Sequence, residues 1–181
     1  NLADYFRSNK MKLKTVTFAT ADEAVKAYDA GRCDSYTTDA SALAGERLRL
    51  AQPGDHAILP EIISKEPLAP AVRHGDDQWF DIVKWVHFAM VNAEELGITK
   101  ANVDDQMKSD NPDIKRLLGT EGKFGEAFGL TNDWAYRIVK QVGNYGEVFE
   151  RNVGQGSPLK IARGLNALWN KGGLQYAPPV R

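Results

Sequence analysis

ADEAVKAYDAGRCDSYTTDAS, residues 21–41, is the stretch that decides the fold. Its first half carries Ala24, Val25, Ala27 and Tyr28 at helical spacing, which predicts a helix over 21–30. Asp22 and Glu23 fall in the first turn, where negative charge suits the helix dipole. Thr20 followed by Glu23 is a capping-box pattern, and Gly31 is a C-terminal stop. A short β-prone run, Cys33–Thr38, follows and ends at Asp39. Beyond it, Leu43, Leu48 and Leu50 predict a second helix over 40–50. Asp39 is thus expected where a strand gives way to a helix. In an open α/β sheet that carboxyl edge is where small ligands bind. The carboxylate can cap the new helix near Ala42, or it can face a cationic ligand group.

Outward from this stretch, the pattern keeps alternating. Residues 1–10 read as the body of a helix, with Leu2, Ala3, Tyr5 and Phe6 on one face. LKTVTFA, 13–19, alternates as a strand rich in β-branched residues. Gln52-Pro53-Gly54-Asp55 is a turn, and HAILPEII, 56–63, reads as a further strand with Pro60 suited to an edge or bulge. Strands alternating with helices imply a mostly parallel sheet covered on both faces, an α/β fold.

The character changes at 64–77, where Pro67 and Pro70 punctuate a short extended segment and His74-Gly75-Asp76-Asp77 forms a turn. A long helix is expected from Gln78 to Leu96, stopped by Gly97. Trp79, Ile82, Val83, Val86, Met90 and Ala93 form its apolar face, widened by Trp85 and Phe88, and predict extensive burial. Further on, 100–108 reads as a short polar helix and 113–118 as another, opened by Asn111-Pro112. A glycine-bearing loop, 119–129, precedes a helix over 131–141 capped by Thr131 or Asn132. A turn at 143–146 leads into a short helical stretch, 147–150. Ser157-Pro158 predicts a capped helix over 159–169, ended by Gly172-Gly173, and 177–181 is expected to be a loose end.

Composition narrows the function classes. The chain has 181 residues, 43% hydrophobic and 26% charged, the balance of an ordinary globular protein. A net charge of −1 gives no sign of a nucleic-acid or anionic-membrane surface. No apolar run approaches the ~20 residues of a membrane-spanning helix. The opening Asn1-Leu2-Ala3-Asp4, without methionine or signal segment, reads as a processed or truncated product. Cys33 is the single cysteine. It is either a small apolar side chain or half of a disulfide whose other half lies outside this chain.

Catalytic chemistry finds little support. Gly154-x-Gly156 lacks a preceding strand and a third glycine, so it is not a dinucleotide fingerprint. No GxxxxGK[ST], HExxH or GxSxG occurs, and no Ser/His/Asp order has local context. Asp76-Asp77 and Asp104-Asp105 read as solvated surface. Three scattered histidines make no metal site, and His87 has no chelating partner at helical spacing. No cofactor is expected.

A more specific signal comes from longer runs. AYDAGRCDSYTTDASAL (27–43) with ILPEIISKEPLAPAVRHGDDQWFDIV (58–83) resembles the periplasmic substrate-binding proteins of polar amino-acid ABC transporters, above all the general L-amino-acid-binding subgroup. NPDIKRLLG (111–119), GLTNDWAYRIVKQVGNYGEVFERN (129–152) and GSPLKIARGLNALWNKGGLQYAPPVR (156–181) resemble the long C-terminal region of that subgroup.

The resemblance implies a type II periplasmic binding protein fold: two α/β lobes, two crossing strands, and the ligand in the cleft. It implies that the fold here is incomplete, with most of lobe 2 and the C-terminal part of lobe 1. Residues 1–66 would be lobe 2 without its first strand, 67–73 the crossover strand, and 74–181 the lobe 1 part with the family extension. Asp39 matches the lobe 2 aspartate that binds the ligand α-ammonium. Thr38 matches a position that touches the ligand side chain. Tyr36, two residues earlier on the same strand face, reads as sheet packing. No residue matches the lobe 1 arginine that grips the α-carboxylate. The family's lobe 2 has a cysteine just before this chain's start, a partner for Cys33.

The implied function is capture of free L-amino acids in the periplasm and delivery to the membrane permease. The implied partners are the ligand, the permease and the missing N-terminal lobe 1 segment, present within one polypeptide or as a companion chain. Two alternatives stand beside it. One is a lyase or dehydratase on the same scaffold, which needs an acid/base group that the sequence does not offer. The other is a split fragment with a structural role only.

Overall fold

The computed structural model describes residues 1–65 and 67–181, and the chain separates into two units, Asn1–Ala69 and Pro70–Arg181. In the first unit three helices form where the periodicity places them: α1 (Leu2–Ser8), α2 (Ala21–Asp29) and α3 (Ala40–Arg47). Thr20 caps α2 by accepting a hydrogen bond from the Glu23 amide at 3.3 Å. The Glu23 carboxylate reaches back one residue past the cap, accepting from the Ala19 amide at 3.2 Å. At the other end Gly31 is left-handed (φ 72°). Its amide donates to Tyr28 O (2.9 Å) and that of Arg32 to Ala27 O (2.9 Å), a Schellman closure. α3 stops three residues short of the expected Leu50, and Pro53–Asp55 forms a 3-10 turn. Val25, Ala27, Ala44 and Leu50 are buried.

The expected strands are the main difference. Residues 13–19, 33–38, 56–63 and 67–73 are extended or irregular, but among the described residues none joins a β-ladder. The expected crossover touches Glu66 at its boundary, and that residue lies outside the described residues. Alternation of side chains records which face of a strand meets a core; it does not supply the neighbouring chain that completes the backbone hydrogen bonds. Leu59, Ile62 and Leu68 accordingly stand exposed.

In the second unit α4 (Asp77–Glu95) is the spine. Asp76 caps it by accepting from the Trp79 amide at 3.1 Å. Gly97 closes its far end, with Ile98 N donating to Ala93 O at 2.8 Å. Burial is concentrated in its second half, at Ala89, Val91, Asn92 and Ala93, whereas Trp79 remains 51% exposed. Around the spine pack α5 (Val103–Gln106), α6 (Pro112–Leu118), α7 (Trp134–Val142) and α8 (Tyr145–Asn152). Their core joins Ile98, Val103, Leu117, Leu118, Trp134 and Val139.

The caps explain the boundaries. Asn111 accepts from Asp113 N at 2.9 Å with Pro112 in the first turn, as read from the sequence. Gly119 ends α6 with φ 80°, and a Cβ there would lie 1.9 Å from Asn132 O, so only glycine fits. Neither Thr131 nor Asn132 caps α7. Its N-cap is Asp133, and Asn132 instead accepts from the Gly125 amide at 3.1 Å. Asn144 and Glu147 form a full capping box on α8.

The helix expected over 159–169 does not form. Ser157 Oγ accepts from Leu159 N and donates to Gly154 O, both at 3.1 Å, which closes a local turn instead of capping a helix. Lys160 then takes a left-handed conformation (φ 52°), incompatible with helix continuation. Two 3-10 turns, Gly164–Asn166 and Trp169–Lys171, and an isolated bridge between Leu168 and Gln175 take its place. Nor is the end loose: Ala177 and Val180 are buried, and Asn92 Nδ2 donates to Pro178 O at 2.8 Å.

Candidate functional site

Asp39 stands at the N-cap of α3, as the sequence predicts. Its carbonyl accepts the first helical bond, from Leu43 N at 2.8 Å. Its carboxylate makes no capping bond, which removes the local reading of that side chain. Asp39 and the preceding Thr38 are exposed. A carboxylate held at the opening of a helix, with no hydrogen-bond partner among the described residues, is an acceptor suited to an ammonium group.

Three aromatic side chains cluster around the run that precedes it. Tyr36 lies with its ring centroid 6.3 Å from that of Tyr28 on α2. The Tyr28 ring in turn packs 5.2 Å from His56, and its hydroxyl lies 2.8 Å from His56 Nδ1. Burial pushes the Tyr36 phenol above its usual pKa, and the Glu46 carboxylate of α3 adds to the effect. Arg49 joins Glu46 (2.8 Å) to Asp22 in the first turn of α2 (2.9 Å). Sequence reasoning placed Tyr28 on an apolar helix face and missed its bond to His56. The two residues are 28 positions apart, and no spacing rule connects them.

Other candidates resolve into structure. Cys33 is half-buried, and this chain holds no second cysteine to pair with it. Asp76 is a cap, and Asp104 accepts from Tyr136 at 2.9 Å and pairs with Lys140. His87 sits edge-on to Tyr145 at 5.5 Å, and desolvation holds its pKa below 6.5, partly offset by Gln175. Among the described residues no group of His, Cys, Asp and Glu is arranged to hold a metal ion. No helix there is long and apolar enough to cross a membrane. A shallow groove lined by Phe18, Glu23, Lys26, Ala27, Ala30 and Arg32 does not include Asp39.

No protein-family model matches the chain. Against solved structures, it superposes with a TM-score of 0.93 and 65% identity on an ABC transporter periplasmic binding protein from Brucella ovis with glutathione bound, covering 99% of this chain and 57% of that one. The chain is therefore a homologue of the periplasmic binding proteins of ABC transporters. More narrowly, it is homologous over its whole length to their amino-acid-binding members. It is 67% identical to the general L-amino acid-binding periplasmic protein AapJ of Rhizobium johnstonii, covering all of this chain and 54% of that protein. It is 56% identical to the glutamate/glutamine/aspartate/asparagine-binding protein BztA of Rhodobacter capsulatus, again over all of this chain and 54% of the relative. The chain thus spans about half the length of the curated relatives it matches.

Proposed function

We propose that this chain is part of the solute-binding component of an ABC transporter, which captures free L-amino acids in the periplasm and hands them to the membrane permease. It acts by binding, not by catalysis, as its homologues do. The observation that carries the reading is the Asp39 carboxylate, placed at a helix opening without a capping bond, in a chain 67% identical to a general L-amino-acid binder.

In this reading residues 1–66 form most of lobe 2, 67–73 cross back, and 74–181 supply the C-terminal part of lobe 1, with the family extension, of a type II binding fold. The remaining lobe 1 strands, and the group that grips the ligand carboxylate, come from the other half of the polypeptide that the relatives carry. That half also pairs the extended stretches of the first unit and covers the exposed Trp79 and Phe80 on α4. Asp39 accepts hydrogen bonds from the ligand α-ammonium, and Thr38 touches the ligand side chain. Closure of the cleft desolvates the charge pair and strengthens it. Gripping the shared ammonium admits many side chains. It equally suits glutathione, whose γ-glutamyl end carries a free α-ammonium and α-carboxylate.

Titration calorimetry on the full-length polypeptide tests the reading. Asp39→Asn should weaken glutamate, glutamine, leucine and glutathione alike, by at least about tenfold, since a charge-assisted hydrogen bond contributes about 1.5–3 kcal/mol. Unchanged affinity, or loss confined to one ligand, refutes it.

A further inference from the structure

We infer that Tyr28 and His56, acting through Tyr36, are positioning residues that set where the Asp39 carboxylate stands; this rests on the reading of Asp39 as the ammonium acceptor. The reason lies in what fixes the segment leading to it. Among the described residues, 33–38 make no backbone hydrogen bond that would hold them in a sheet. Within this chain, side-chain contacts are what tie the segment to its neighbours. Tyr36, three residues before Asp39, is half-buried against Tyr28 at 6.3 Å. Tyr28 is itself fixed twice, by its place on α2 and by the 2.8 Å contact of its hydroxyl with His56 Nδ1. The cluster spans three separate segments: α2, the run before Asp39, and the run after the 3-10 turn at Pro53–Asp55.

The other tie between α2 and α3, Asp22–Arg49–Glu46, involves side chains that are mostly exposed, and such pairs hold weakly. The aromatic cluster is half-buried, so it is the stiffer constraint. A neutral imidazole protonated at Nε2 leaves Nδ1 as an acceptor for the Tyr28 hydroxyl. Removing that bond frees the Tyr28 ring to tilt, and Tyr36 and the helix opening at Asp39 move with it. Small displacements matter here because the strength of a hydrogen bond falls steeply with misalignment.

The test uses the full-length polypeptide and measures amino-acid affinity by calorimetry, extended into the millimolar range by NMR titration. Tyr28→Phe keeps the ring and deletes the hydroxyl. His56→Leu deletes the acceptor, and His56→Asn restores one near the Nδ1 position. Tyr28→Phe and His56→Leu should weaken glutamate, glutamine and leucine by a common factor of about three to ten. His56→Asn should recover part of that loss. In an Asp39→Asn background Tyr28→Phe should have no further effect, because its route to the ligand is already cut. If Asp39→Asn weakens binding but Tyr28→Phe does not, or if the two losses simply multiply, this inference is overturned and the reading of Asp39 stands. Normal binding by Asp39→Asn overturns the reading itself, and this inference with it.

Discussion

Arg163 is the side chain whose loss of a partner should be felt most in the second unit. Its Nη2 donates to both Glu94 carboxylate oxygens, at 3.1 and 3.0 Å. The two side chains are only 20% and 12% exposed. The guanidinium also donates to Asn166 O and lies 5.3 and 5.2 Å from the rings of Tyr145 and Phe149. Gly146 passes beneath the pair, where a Cβ would come within 2.8 Å of Arg163 Nη1. The arrangement ties α4, α8 and the segment after Ser157 together.

Glu94→Gln keeps the shape and removes the charge. Breaking a fully buried pair costs about 3–5 kcal/mol, and an exposed one contributes at most about 1. This pair lies nearer the buried limit, but the Asn166 carbonyl and the two rings still hold the cation, so we expect a loss of about 2 kcal/mol. Urea unfolding followed by tryptophan fluorescence measures it, and a cycle with Arg163→Met isolates the pair. The double variant should be more stable than Glu94→Gln alone, since the stranded cation is gone. A coupling energy under about 0.5 kcal/mol would refute the argument.

Two further outcomes are expected. Asn144→Ala deletes the α8 cap to Glu147 N (2.9 Å) and the buried bond to Ile98 O (2.7 Å), so unfolding free energy should fall by about 2 kcal/mol; a fall under about 0.5 would contradict this. Asp104 is held below its ordinary carboxyl value of 3.8 by hydrogen bonds from Lys140 and Tyr136. Its folded pKa is depressed, so its stabilising contribution is present above the ordinary value and is lost as pH falls through the lower folded one. Carboxyl-carbon NMR should show this shift, and Lys140→Met should move the titration back toward 3.8; an unchanged midpoint would remove Lys140 as the cause.

Local chemistry was legible in the sequence, and distant partnership was not. Thr20, Asn111, Gly31, Gly97 and Gly119 mark helix ends because caps are formed by residues within one turn of each other. The run 159–169 misled because Ser157 and Lys160 settle a competing local turn that apolar spacing does not register. The strand stretches stay unpaired for another reason: alternation is intrinsic to a segment, but a ladder belongs to two. The place of Asp39 at a helix opening could be read because it ends one pattern and begins another. Its bracing by Tyr28 and His56 could not, since that depends on how three separated segments meet.

The burial of Val180 in the core of the second unit bears on the timing of synthesis. Chains emerge from the ribosome from the N-terminus onward, and α4, the unit's spine, is made long before residue 180. Its hydrophobic partners therefore accumulate one by one around a core in which Val180 takes its place last.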